Sequence, residues 1–192
     1  MSITLAFDVY GTLIDTQGVV AGLERLIGDR AASFSQAWRD KQLEYSFRRG
    51  LMQSYEDFGV CTSQALDYTC LYQRVALTEG QKADLLASYG SLPAFGDVAE
   101  GLGRLQDAGY ELYAFSNGTR AAVDSVLKTA GISSFLRGMV SCDDLRTFKP
   151  NPDVYRYFLQ ETNSSADKTW LVSSNPFDVI GAVSAGLCAA WV

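Results

Sequence analysis

At 192 residues, with 47% hydrophobic and 20% charged side chains, the chain has the balance of a globular protein with one substantial core, which excludes a disordered or fibrous class. A net charge of −6, from 16 basic and 22 acidic residues without a basic block, argues against nucleic acid or an anionic membrane as partner. No apolar run reaches the roughly 18 residues of a membrane span and Met1 leads directly into a strand-like run, so the expected location is the cytoplasm.

Residues 3–7 form a short apolar run ending at Asp8 and a Gly11-Thr12 turn, the pattern of a buried strand that delivers a carboxylate to its C-terminal end. Val19, Val20, Leu23, Leu26 and Ile27 then recur at helical spacing, with Glu24 and Arg25 on the other face. Between about residues 30 and 90 the chain reads as aromatic-rich helices with no convincing strand, Trp38, Leu43, Tyr45, Phe47, Leu51, Tyr55 and Phe58 among the apolar positions. Pro93 and Gly96 punctuate the return, and a helix carrying Val98, Leu102 and Leu105 ends at Gly109.

The remainder alternates strand and helix. Strands are expected at 111–115, 138–142, 170–173 and 187–192, and helices at 119–130, 152–160 and 177–185, the first and last of these closed by Gly131 and Gly186. Such alternation predicts a doubly wound, mostly parallel α/β sheet whose ligands sit beyond the C-terminal strand ends. The expected division is a core of residues 1–15 and 93–192 with a helical cap, residues 16–92, inserted after the first strand. The last run is read as a buried central strand. Because no covering helix follows it, a missing C-terminal segment is expected.

Four cysteines, Cys61, Cys70, Cys142 and Cys188, are far apart with no C-x-x-C pair, and read as reduced, mostly buried thiols. Histidine is absent, which removes the usual general base and the commonest transition-metal ligand together. Four segments just past strands hold the remaining chemistry: Asp8 to Leu13 (DVYGTL), Ser116-Asn117-Gly118, Lys149-Pro150, and Ser173 to Asp178 (SSNPFD). Each alone has an ordinary structural reading as a turn, a helix cap or a surface lysine. A carboxylate held in line, ionised and shielded from water can displace a halide and form an ester. Asp8 is the candidate nucleophile. Lys149, placed at the edge of the pocket, would keep it ionised.

In order and spacing these segments resemble the haloacid dehalogenase superfamily, closest to its L-2-haloacid dehalogenases. Phe7 to Leu13 (FDVYGTL), Trp38 to Tyr45 (WRDKQLEY), Ser116-Asn117-Gly118 and Ser173 to Gly181 (SSNPFDVIG) carry the likeness, which covers essentially the whole chain. The resemblance implies hydrolysis of small L-2-haloalkanoic acids to D-2-hydroxy acids and halide, through an ester on Asp8 and with no cofactor or metal. For the second step it implies Asp178 as the group that activates the water, positioned by Asn175, in keeping with a chain that has no histidine. It implies Thr12, Ser173 and Tyr155 as hydrogen-bonding supports, although Tyr155 also fits an ordinary helix core face with Val154, Phe158 and Leu159. It implies Ser116 for the substrate carboxylate, Arg39 and Asn117 for the halide with Phe177 beside them, and Tyr10, Leu43 and Phe58 as the apolar wall. Relatives are often dimers, but no interface is legible in the sequence. Asp40, following Arg39 where relatives carry a neutral Gln, would add negative charge near an anion site.

Two other readings stand beside this one. A Mg²⁺-dependent phosphatase of the same superfamily would need a second Asp two residues after the nucleophile and a Gly-Asp pair in the last motif, where this chain has Tyr10 and the Ser173-Ser174-Asn175 run. A catalytically inactive binding protein could also use this fold.

Overall fold

The computed structural model describes residues 2–192. Five strands, β1 (Thr4–Phe7), β2 (Glu111–Ser116), β3 (Gly138–Ser141), β4 (Thr169–Ser173) and β5 (Cys188–Trp191), form one parallel sheet in the order β3-β2-β1-β4-β5. The chain winds outward from β1 to one edge and then crosses to the other. That switch brings the C-terminal ends of β1, β2 and β4 side by side, where open sheets of this kind hold ligands. The fold class read from the sequence agrees with this architecture.

Alternation along each strand builds two cores. Leu5, Phe7, Leu112 and Ala114 point to the face covered by α5 (Val98–Asp107) and α6 (Arg120–Thr129). Ala6, Phe115, Val140 and Leu171 point to the other, against α7 (Pro152–Thr162) and α8 (Pro176–Ser184). The helix ends lie within two residues of those expected, because Gly109, Gly131 and Gly186 take the left-handed conformation that closes a helix.

One expectation about the apolar positions needs correction. β5 is an edge strand rather than a central one, and Trp191 is 70% exposed. An apolar run carries no information about which neighbours a strand acquires; that depends on where the preceding crossover delivers it. Leu51 is exposed as well, since it stands at the last turn of its helix, past the region that packs.

Between β1 and α5 lie four helices, α1 (Gln17–Ile27), α2 (Ala31–Met52), α3 (Phe58–Gln73) and α4 (Glu79–Ser88). α2 buries a stripe at Ala31, Phe34, Trp38, Gln42 and Ser46, one residue per turn, mainly against the antiparallel α3. Trp38 is wholly buried and donates its indole N–H to the Thr62 carbonyl at 2.9 Å. The two chain segments that join these helices to the sheet run against each other through Asp15 N–H to Pro93 O (2.8 Å) and Phe95 N–H to Leu13 O (3.1 Å). Among the described residues no helix is long and apolar enough to cross a membrane.

Gly181 on α8 is required by close packing. A Cβ there would stand 2.4 Å from the Tyr155 hydroxyl and 2.6 Å from Pro150 Cβ. Gly181→Ala should therefore lower stability by about 1–3 kcal/mol. Urea denaturation of the two proteins measures it, and an equal midpoint would mean that α8 shifts freely.

Candidate active site

Asp8 is the first residue after β1 and its carboxylate is largely buried. Its two oxygens are treated differently. Oδ2 accepts from Asn175 Nδ2 at 2.7 Å, Thr12 Oγ at 3.1 Å and Ser173 Oγ at 3.4 Å. Oδ1 has one contact, Lys149 Nζ at 3.3 Å, and is thereby the less constrained oxygen. The loop after Asp8 turns through Gly11 at φ +87°, a conformation that favours glycine, and a Cβ there would also lie 3.1 Å from the Arg39 guanidinium.

Lys149 is only 1% exposed, so it does not lie at the rim of the pocket as expected. The sequence gives Lys-Pro the look of a surface loop, but the loop after β3 folds back beneath β2. There Nζ donates to Asp178 Oδ2 (2.7 Å) and to the Phe115 carbonyl (2.8 Å), with the Phe115 ring 4.2 Å away. Burial pulls the lysine pKa down, but the charges of Asp178 and Asp8 outweigh that and raise it above its ordinary value. Asp178 is fully buried, and Tyr155 donates to its Oδ1 at 2.7 Å. Burial raises the Asp178 pKa, with Lys149 opposing. Tyr155 combines both readings offered by the sequence: it is core, and it holds a carboxylate.

A cavity of ≈ 440 Å³ opens above these groups. Asp8, Tyr10, Arg39, Leu43, Phe58, Ser116, Asn117, Lys149, Asn175 and Phe177 line it; Thr12, Ser173, Tyr155 and Asp178 lie behind that lining. The polar side chains at its floor are pre-set as donors. Ser116 Oγ accepts from Gly118 N–H at 3.1 Å, leaving its proton for a ligand. Asn117 Oδ1 accepts from Lys149 N–H at 2.9 Å, which leaves Nδ2 as donor. Arg39 reaches down from α2 to Asn175 Oδ1 at 2.9 Å. A cation and several N–H and O–H groups converging beside a carboxylate suit a small anion with a reacting carbon. Asp40, by contrast, is exposed and accepts from Gln36 at 2.8 Å, one step around α2 from the cavity face.

The donor set does not fit a Mg²⁺ ion. Lys149 Nζ contacts Asp8 Oδ1 at 3.3 Å and Asp178 Oδ2 at 2.7 Å, so an ammonium already neutralises the two carboxylates, and no group of three or more potential metal ligands occurs among the described residues.

Sequence reasoning missed several lining residues, chiefly Gln42, Leu86, Tyr89 and Ala122. Gln42 did leave a signal, an amide on the mostly apolar stripe of α2. Ser174 was also missed. Its Oγ donates to the Gly11 carbonyl at 2.7 Å and its N–H to Thr12 Oγ at 3.0 Å, clasping the loop that follows Asp8.

Residues 4–186 match the family model of haloacid dehalogenase-like hydrolases. Haloacetate dehalogenase H-2 of Moraxella sp. is 35% identical over 98% of this chain and 84% of its own length. An (S)-2-haloacid dehalogenase of Xanthobacter autotrophicus is 36% identical over 98% of this chain and 74% of its own. The solved structure of an L-2-haloacid dehalogenase from Xanthobacter autotrophicus with chloropropionic acid covalently bound superposes with a TM-score of 0.92 at 35% identity, covering 100% of this chain and 78% of that one.

Replacing Lys149 by the similarly shaped Met would leave Asp178 buried without its cation. Lys149→Met should cost about 3–5 kcal/mol at neutral pH. The deficit should shrink as the pH falls and Asp178 takes up a proton, because the neutral acid needs no partner. Denaturant titrations at pH 7 and pH 5 read both effects; a deficit independent of pH would contradict this account of the buried pair.

Proposed function

Since the chain belongs to the haloacid dehalogenase-like hydrolases, we propose that it hydrolyses small L-2-haloalkanoic acids to D-2-hydroxy acids and halide, with Asp8 as nucleophile. The observation that carries this reading is Asp8 itself: a carboxylate with one oxygen fixed by three donors and the other free to attack, beside a buried ammonium and facing a small anion pocket.

Ser116 and neighbouring N–H groups hold the substrate carboxylate and so place C2 over Asp8, which converts the attack into a positioned, effectively unimolecular step. Oδ1 forms a bond to C2 as the carbon–halogen bond breaks from the opposite side, and the halide leaves with the electron pair toward Arg39 and Asn117. Attack from behind inverts the carbon, which gives the D product from the L substrate. Phe177, packed edge-on against Phe47 with ring centres 5.0 Å apart, helps to keep water from the departing ion.

The ester is then opened at the Asp8 carbonyl carbon. Water adds there and its proton goes to Asp178; the bond between the acyl carbon and Oδ1 then breaks, the departing alkoxide takes that proton to become the hydroxy acid, and Asp8 returns as a carboxylate carrying the water oxygen. Both Asp178 oxygens already accept one hydrogen bond, but a carboxylate has lone pairs for more, and Asn175, which lines the cavity and donates to Asp8 Oδ2, orients the water. When Asp8 becomes a neutral ester, Lys149 loses one of its two carboxylate partners. The ammonium then serves Asp178 alone and keeps it ionised for its turn as base.

Halide release from chloroacetate and 2-chloropropionate, undiminished by EDTA, is the expected first result. A single turnover in ¹⁸O water with enzyme in excess should give unlabelled hydroxy acid and place the label in the peptide that contains Asp8. Label in the first product with none on Asp8 would replace the ester by direct attack of water.

The two shifted groups also set a pH profile. Asp178 must be ionised and its pKa is raised by burial, so the acid limb of kcat/KM should lie above the ordinary aspartate range. Lys149 must be charged and its pKa is raised by its two carboxylates, so the alkaline limb should lie above the ordinary value of 10.5. An alkaline decline with a midpoint below that of ordinary lysine would show that some other group controls it.

A further inference from the structure

Beyond the anion-binding side chains and Asp8, the cavity lining combines apolar Leu43, Phe58, Leu86 and Ala122 with polar side chains, Asp57, Thr62 and Thr119 among them, and two of the polar residues, Gln42 and Tyr89, are bonded to each other. Gln42 Nε2 donates to the Tyr89 hydroxyl at 3.0 Å, and Gln42 is only 2% exposed. Tyr89 is clamped by edge-on contacts with Tyr10 (6.1 Å between ring centres) and Trp38 (5.5 Å), so its hydroxyl is fixed in direction.

This one bond leaves hydrogen-bonding capacity over. Tyr89 retains its own proton for donation, and no protein acceptor takes it among the described residues. Gln42 Oε1 has no protein donor either. Every fully buried side-chain nitrogen or oxygen among the described residues is paired, so this unpaired oxygen cannot be sealed in protein, and Gln42 lines the cavity. Packing alone would be served by Leu and Phe at these positions, without the cost of placing an amide in the cavity wall.

We propose that Gln42 and Tyr89 form a second, polar subsite that receives a hydrogen-bonding group on the substrate's carbon chain, so that the substrate class extends to 2-haloacids with an ether, hydroxyl or carbonyl oxygen several atoms beyond C2. This rests on the dehalogenase reading of the site. The matching group is neutral: Tyr89 offers one hydroxyl donor and Gln42 an amide, while the nearby Arg39 guanidinium is already engaged by Asn175 Oδ1.

The test uses two substrates of equal length, L-2-chlorohexanoate and L-2-chloro-4-methoxybutanoate, which differ only in an ether oxygen for a methylene. In the wild-type protein and in Tyr89→Phe, the readout is the ratio of kcat/KM for the ether to that for the alkyl substrate. Loss of one hydrogen bond in an enclosed site should lower this ratio roughly three- to ten-fold, mainly through KM. A ratio unchanged in Tyr89→Phe and in the Tyr89→Phe/Gln42→Leu double variant overturns the subsite.

If the variants fold poorly, the wild-type protein still decides. As competitive inhibitors of 2-chloropropionate turnover, 4-methoxybutanoate and hexanoate should have similar inhibition constants if the ether oxygen finds a partner. An ether ten-fold or more weaker would mean that it finds none. Absence of halide release from every substrate, 2-chloropropionate included, would instead strike the dehalogenase reading on which the subsite rests.

Discussion

The buried ammonium of Lys149 is the constraint around which the site is arranged. A lysine 1% exposed is tolerated only with compensating charge, and here two carboxylates, a carbonyl and an aromatic face surround it. Each partner is in turn held from a different element: Asp8 by the end of β1, Asp178 by α8, and the Phe115 carbonyl by β2. The sheet order that sets β1 between β2 and β4 is what allows three elements to reach one nitrogen. The same arrangement explains why Gly181 has no room for a side chain, since Tyr155 must lie flat beneath α8 to reach Asp178.

A second dependence runs between the helices inserted after β1 and the sheet. Arg39, on α2, contacts Asn175, and Asn175 contacts Asp8, so the nucleophile's geometry is linked to where α2 sits. Gly11 must be small for Arg39 to pass, and Ser174 fixes the Gly11 carbonyl. The walls of the cavity therefore belong to both parts of the chain. The chemical groups are attached to strand ends, which are rigid, while Leu43, Phe58 and Tyr89 shape the space from the helical side and its linker.

Much of this was legible without coordinates. Strict alternation of short apolar runs with glycine-closed helices specifies a parallel α/β sheet, because period and chain reversal are local properties. The motif residues were equally legible, since each lies within a few positions of a strand end, and the absence of histidine narrowed the available bases to carboxylates. Three features were not legible. Lys149 beside a proline looks like a surface residue until the loop is folded under β2. β5 reads as central because an apolar run is the same at an edge. The Gln42 and Tyr89 pair joins residues 47 positions apart whose partnership no local pattern encodes.

By itself, the sequence determined the element types, their order, and the residues able to attack, donate and neutralise, because periodicity, capping and functional-group chemistry act over a few residues. Tertiary structure alone decided which oxygen of Asp8 is the less constrained, that Lys149 stands between two carboxylates, that Asp40 faces solvent, and which residues of the helical segment wall the cavity. These are matters of distance and burial between segments remote in the chain, and they are fixed only when the crossovers of the sheet and the packing of α2 bring those segments into contact.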